Sequence, residues 1–317
     1  DQDVLYVAED LEGEHRALID PNTFSDDATV ALAGFSVSPE GRYVAYATSD
    51  GGTDWNTWHV RDVATGQDLP DTVAFTKFTG ASWLPNESGF FYSRYPVGPD
   101  GSGDDQAQVE IYFHPVGSDQ SRDERVYAVE DSESRNPYGT VTEDGRYLII
   151  DLFEGYNENA VYYRDLGAPS GGVERLLDEW DALYTFVGND GPVFFFHTNK
   201  DAPLNRLVAV DTGNPDPSAW EEIIPESQDV LESVSYVGGV FVAGYLRDAS
   251  SMVRVFSRDG EEIRDVDLPG IGTVAGFGGH ADDPETFFSF QSYTVPPTLY
   301  RYDVATGEAE VFRETRI

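Results

Sequence analysis

The sequence predicts an all-β fold, a seven-bladed propeller of four-stranded antiparallel blades. Three observations carry this. Six times along the chain a turn-rich polar cluster leads into an apolar strand, and a second strand ending in another turn follows. The anchoring turns fall near Gly41, Gly89, Gly145, Gly191, Gly239 and Pro284. That spacing is roughly 45 to 55 residues, and a strand-built repeat of this length marks propeller blades. Helical periodicity is nearly absent.

The leading strands, in chain order, read SPEGRYVAYATS (38–49), LPNESGFFYSRY (84–95), TEDGRYLIIDLF (142–153), GNDGPVFFFHTN (188–199), YVGGVFVAGYLR (236–247) and HADDPETFFSFQS (280–292). Each is rich in β-branched and aromatic residues and bounded by Gly, Pro, Asp or Asn, as strands are. Their partners read NTWHVRDVATG, QVEIYFHPVG, NAVYYRDLGAPSGG, NRLVAVDTGNP, SMVRVFSRDG and PTLYRYDVATG. The opening stretch DVLYVAEDLEG (3–13) is a seventh copy of the partner strand. The turn Val63-Ala64-Thr65-Gly66 recurs as Val304-Ala305-Thr306-Gly307, the same hairpin in two blades. The best helical candidate is PSAWEEIIP (217–225), one or two turns at most. The longest irregular stretches, 97–108 and 131–138, read as loops. No linker breaks the series, so residues 1–317 read as a single propeller domain. A closed repeat is one domain whatever its length, and dividing the chain by about 45 gives seven blades.

Composition narrows the chemistry. There is no cysteine, which removes disulfides, thiolate metal sites and a cysteine nucleophile. No segment approaches the roughly 18 consecutive apolar residues of a membrane helix. The N-terminal DQDVLYVAED has neither a basic nor an apolar signal region, so the expected location is cytoplasmic, with no membrane partner. The net charge is −38, and lysine occurs only at Lys77 and Lys200. Acid spread over turns such as Asp26-Asp27, Asp104-Asp105 and Asp282-Asp283, with almost no lysine, reads as adaptation to high salt. An ordinary acidic protein is the plainer alternative. Nucleic acid is excluded as a partner, because phosphate contacts need clustered Lys and Arg.

Catalytic motifs are missing. The sequence holds no G-x-S-x-G elbow, no H-E-x-x-H, no C-x-x-C and no P-loop. The expectation is no catalytic residue, no cofactor and no metal. The five histidines (His15, His59, His114, His197, His280) fall in different blades and read as structural or solvent-facing. Asp100-Gly101-Ser102-Gly103-Asp104-Asp105 superficially resembles a calcium loop, but lacks glycine at the sixth position and has Ile111 where a bidentate Glu belongs. Gly270-Ile271-Gly272 opens a near miss of the dinucleotide fingerprint with no following helix. Asn86-Glu87-Ser88 is a glycosylation sequon that reads as a turn. Arg94 ends an apolar strand beside Tyr95 and Pro96 in a chain with few cations. It can hold a carboxylate bidentately or pair with local acids.

The residues 3–71, with LIDPN and the DW-NT-HVRDV pattern, closely resemble the start of the propeller domain of prolyl oligopeptidases. FTGASWLPNESGFFYSRYP, VYYRDL, HTNKDAPLNRLVAVD and the closing VFRETRI fit the same family. The resemblance spans essentially the whole chain. It implies a seven-bladed propeller inserted into an α/β-hydrolase peptidase domain, covering the active site and restricting entry to short peptides. The family's serine, aspartate and histidine lie in the hydrolase domain, so no catalytic residue carries over. One family loop facing the peptidase corresponds to 153–159, which singles out Phe153, Tyr156 and Asn157 beside Arg94 and Tyr95 as peptidase- or substrate-facing. A family hydrophobe that touches substrate falls near Val129, where the match is poor. The family's propellers also lack mixed-strand closure, so DVLYVAED and EVFRETRI are expected to form an open seam.

The reading is therefore an isolated propeller domain of a salt-adapted prolyl oligopeptidase, without chemistry of its own. Its partners would be the peptidase domain and short peptides in passage. One rival is an autonomous or engineered propeller serving as a binding or scaffold module. The other is a proline-specific peptidase of which this is a fragment.

Overall fold

The structure is a computed structural model, and it describes residues 2–315 except 131, 133, 169 and 170. Among the described residues the chain forms seven antiparallel sheets, each made of consecutive strands. The first has two strands, β1 (Leu5–Val7) and β2 (Arg16–Ile19). Six four-stranded sheets follow. They are β3 (Val30–Val37), β4 (Tyr43–Asp50), β5 (Asn56–Asp62) and β6 (Asp68–Thr76); β7 (Ser82–Trp83), β8 (Gly89–Arg94), β9 (Glu110–Pro115) and β10 (Glu124–Ala128); β11 (Asn136–Val141), β12 (Tyr147–Phe153), β13 (Asn159–Asp165) and β14 (Glu174–Leu177); β15 (Tyr184–Asp190), β16 (Val193–Thr198), β17 (Arg206–Asp211) and β18 (Glu221–Ile224); β19 (Val230–Val237), β20 (Val240–Arg247), β21 (Ser250–Phe256) and β22 (Glu262–Asp265); and β23 (Thr273–Gly278), β24 (Glu285–Gln291), β25 (Thr298–Asp303) and β26 (Ala309–Glu314). No described strand leaves its own sheet to complete another, so no sheet mixes strands from the two ends of the chain. No helix among the described residues is long and apolar enough to cross a membrane.

The six leading strands read from the sequence are the second strands of these sheets, and their partners are the third. They stood out because they are central and covered on both faces. Their residues are buried almost continuously, as in β4 and β8, so the run is apolar rather than alternating. First strands were harder to see. In β3, β15, β19 and β23 a bulge interrupts the pairing with the second strand, at Leu32/Gly34, Phe186/Gly188, Leu231/Ser233 and Gly276/Gly278. An extra residue shifts the alternation to the other face.

Two expectations need correction. Residues 217–225 hold a single 3-10 turn, Pro217–Ala219, after which the chain enters β18. Asp216 starts the turn by accepting the Ser218 N–H at 2.9 Å, and Pro217 cannot extend it backwards. The expected loop 131–138 ends at residue 135, because Asn136 to Tyr138 already belong to β11 and pair with Phe153 to Asp151. Residues 131 and 133 of that loop, and the last two residues of VFRETRI, lie outside the described residues.

The chain divides into two compact units, Asp1–Gly155 with Val161–Arg175, and Tyr156–Ala160 with Leu176–Ile317. In the first unit one core joins Tyr43, Ala45, Trp58 and Val73 of sheet β3–β6 to Trp83, Phe90 and Tyr92 of sheet β7–β10. A smaller one packs Leu18 and Ile19 of β2 on Val44 and Tyr46 of β4. In the second unit Phe195, Leu207 and Ile223 pack on Phe241, Tyr245 and Phe256. Val242, Val253 and Val255 pack in turn on Phe277, Phe288 and Tyr302. Each core therefore lies between the faces of consecutive sheets. Outer arginines add a polar link. Arg16 of β2 donates to the carbonyl of Val63, and Arg264 of β22 donates to that of Ala305 at 2.9 Å. Both acceptors are in the repeated VATG turn of the next sheet.

Candidate functional site

Antiparallel order fixes which connections share an end of a sheet. In each four-stranded sheet the turn from second to third strand lies at the end where the chain leaves the fourth strand for the next sheet. The turns from first to second and from third to fourth lie at the opposite end.

The exposed large apolar side chains in these connections follow the same division. Phe78, 69 % exposed, lies between β6 and β7, and Val97 between β8 and β9. Tyr156, 94 % exposed, lies between β12 and β13, Ile271 between β22 and β23, and Tyr293 between β24 and β25. All five are in second-to-third or fourth-to-first connections. Among the described residues only Leu11, in the β1–β2 turn of the two-stranded sheet, is a comparable residue elsewhere in a turn.

At this end of the first unit an aromatic row is assembled from three sheets. Trp55 and Tyr95 meet edge to face with centroids 5.4 Å apart. Tyr95 acts electrostatically on Tyr138, whose pKa is raised by burial first and by Tyr95 second. Tyr138 in turn contacts Phe153 at 6.2 Å. Lys77 lies over the Trp55 ring at 4.1 Å, a favourable cation–π distance, and its ammonium pairs with Asp105 at 3.0 Å. The loop carrying Asp105 is pinned as well by Gly103, which sits so close to Trp55 that a Cβ there would lie 2.5 Å from the indole. Asp100 uses its carboxylate within this loop, accepting the Ser102 N–H at 3.0 Å and its hydroxyl at 2.7 Å.

The residues singled out from sequence thus have distinct settings. Tyr95 and Phe153 belong to one row, joined by Tyr138. Arg94 points elsewhere. Its guanidinium lies 3.9 Å above the Tyr112 ring, its Nε is buried without a hydrogen-bond partner, and among the described residues it pairs with no carboxylate. Tyr156 and Asn157 are exposed on the short loop before β13. Val129 is buried, 8 % exposed, rather than presented. Sequence reasoning missed Trp55, Lys77 and Tyr138. The rarity of lysine was the available signal for Lys77. Nothing local marked Tyr138, because Phe153 reaches it across the β11–β12 pairing and Tyr95 from another sheet.

Asp151, opposite Tyr138 in the β11–β12 register, is raised by burial to about 7. A carboxyl in this state changes charge near neutrality.

Comparisons with known proteins agree on the family. The model of the prolyl oligopeptidase N-terminal β-propeller domain matches residues 1–315. A prolyl endopeptidase of Elizabethkingia miricola is 36 % identical over the whole chain, which covers 44 % of that protein. The prolyl endopeptidase of Elizabethkingia meningoseptica is 35 % identical with the same coverage. A solved structure from a study of two prolyl endopeptidases and their inter-domain dynamics superposes with a TM-score of 0.89 at 32 % identity, covering 97 % of this chain and 46 % of that one. The chain thus spans about half the length of the relatives it matches. The seven sheets are the blades of an open β-propeller, and the chain belongs to the prolyl oligopeptidase family as its N-terminal propeller domain.

Proposed function

We propose that this propeller is the non-catalytic cover of a serine peptidase domain that cleaves short peptides after proline, and that it limits substrate size. The observation that carries this reading is the segregation of Phe78, Val97, Tyr156, Ile271 and Tyr293 to one end of their sheets. Within each unit these exposed apolar side chains lie at this one end of the sheets, and apolar side chains concentrated in that way mark a docking surface. The α/β-hydrolase domain expected from the family is the partner that suits it, and short peptides are the cargo. The relatives' description as prolyl endopeptidases supports the substrate class.

The test is hydrogen exchange on the chain alone and on the chain joined to the peptidase domain of a relative. Protection should appear in the segments around Phe78, Tyr156 and Tyr293. The opposite turns, around Gly41 and Gly145, should be unchanged. Protection confined to those opposite turns, or none at all, would defeat the assignment.

A further inference from the structure

Between sheet β3–β6 and sheet β7–β10 lies a histidine with a carboxylate on each ring nitrogen. His114 of β9 places Nε2 2.9 Å from Asp71 Oδ1 and Nδ1 2.7 Å from Asp123 Oδ1, and all three side chains are 0 % exposed. Asp71 comes from β6, in the preceding sheet, whereas Asp123 lies just before β10, in the histidine's own sheet. Asp71 Oδ1 also accepts the Gly117 N–H at 2.7 Å. Asp123 Oδ2 accepts the Tyr92 hydroxyl at 2.5 Å. Gln120 extends the seam, bonding both the N–H and the carbonyl of Ala74 at 3.1 Å. Asp71 Oδ2 is buried and has no hydrogen-bond partner.

A neutral imidazole has one N–H and one lone pair. It can satisfy one of these carboxylates and must turn a lone pair on the other. Only the imidazolium donates to both. We propose that His114 is kept as a buried imidazolium that fastens sheet β3–β6 to sheet β7–β10, and that alkaline deprotonation unfastens these two sheets.

The surroundings support this charge state. Burial alone pulls the imidazole's pKa down, but the hydrogen bonds and charges of Asp123 and Asp71 override it and lift it to about 9. Asp119, at the start of the 3-10 turn Gln120–Arg122, also feels the His114 charge. Tyr92 is pushed up by burial and stays a hydroxyl donor to Asp123. Arg94 acts on Tyr92 rather than on the histidine, and the Phe90 ring covers the imidazole at 5.2 Å. Deprotonation leaves one N–H for two carboxylates, so either Asp71 or Asp123 then faces a ring lone pair, and the clasp running from β6 through the imidazole to Asp123 is broken.

The sign follows from linkage. The folded pKa lies above the ordinary histidine value of about 6.5. The contribution is therefore complete below about 6.5 and is lost as pH rises through about 9. The test is nitrogen NMR of histidine-labelled chain from about pH 6 to about pH 10.5, with hydrogen exchange at Ala74 over the same range. The expected result is both ring nitrogens of His114 protonated at neutral pH, titration near 9, and a fall in the protection of the Ala74 amide, relative to its intrinsic exchange rate at each pH, above the transition. Asp71→Asn should lower the His114 pKa by about one to three units. If that variant fails to fold, the wild-type titration decides. A neutral His114 tautomer at pH 7, or protection at Ala74 unchanged through the transition once the intrinsic rate is divided out, overturns the proposal.

Discussion

Phe90 and Tyr156 are both aromatic, and their surroundings give them opposite weights. Phe90 is fully buried, edge to face with Trp83 at 5.1 Å. Phe90→Ala removes the ring that joins two sheets and leaves a cavity, so the expected loss is about 3–5 kcal/mol in denaturant titration. Tyr156→Ala, at a 94 % exposed site, should leave stability within about 0.5 kcal/mol and weaken assembly with the peptidase domain instead. Asp151 gives a pH signature. Its raised folded pKa means that its ionisation disfavours the fold, with the penalty absent below the ordinary carboxyl value near 3.9 and complete above about 7. Asp151→Asn should therefore raise the melting temperature at pH 8.5 and have little effect at pH 4. A larger gain in acid would reverse this account. The candidate site was legible only in part. Tyr95 was reachable from its place at a strand end, and Phe153 and Tyr156 through the family loop that corresponds to 153–159. The stacking of Arg94 on Tyr112 depends on the β8–β9 register, and the joining of His114 to Asp71 depends on which sheets lie side by side, so neither was read.

The tight turns at the first-to-second strand ends show how one element varies across blades. Gly41, Gly145, Gly191 and Gly239 adopt φ between 55° and 75°, where a Cβ is strained. In sheet β7–β10 the left-handed residue is Glu87, two positions before Gly89. Its side chain accepts the Glu40 N–H at 3.0 Å, which ties two blades together. Gly41 and Gly145 share φ of 70°, but a Cβ at Gly41 would meet nothing within 4 Å, whereas one at Gly145 would lie 2.5 Å from Pro85 Cγ. Gly41→Ala should then cost about 1 kcal/mol. Gly145→Ala should cost a further 1–3 kcal/mol, roughly, from overpacking. Equal losses in chemical denaturation would show that the contact is relieved freely. Second strands such as β4 and β8 were legible because burial on both faces writes a nearly unbroken apolar run, and third strands because each follows one and ends in a turn. Bulged first strands and the two-residue β7 (Ser82–Trp83) write no such run.

At the scale of the molecule, charge and fold make separate claims. A net charge of −38 on a folded chain is self-repelling and favours expansion. Salt shortens the reach of that repulsion from about 10 Å at 0.1 M to about 3 Å at 1 M. The melting temperature should climb from low to molar KCl, and also in NaBr, a chaotropic-leaning salt that serves as the control because kosmotropic salts stabilise any protein through apolar burial. A flat response in both salts would remove salt adaptation from the account. The central claim is that the propeller limits the size of what reaches a peptidase. The direct measurement uses a chimera in which this chain replaces the propeller of a full-length relative. It compares cleavage of a short proline-containing peptide with cleavage of the same sequence embedded in a long unfolded polypeptide. The account expects the short peptide to be cut and the long one spared, with the difference lost when the propeller is removed. Equal cleavage of both by the intact chimera would contradict it.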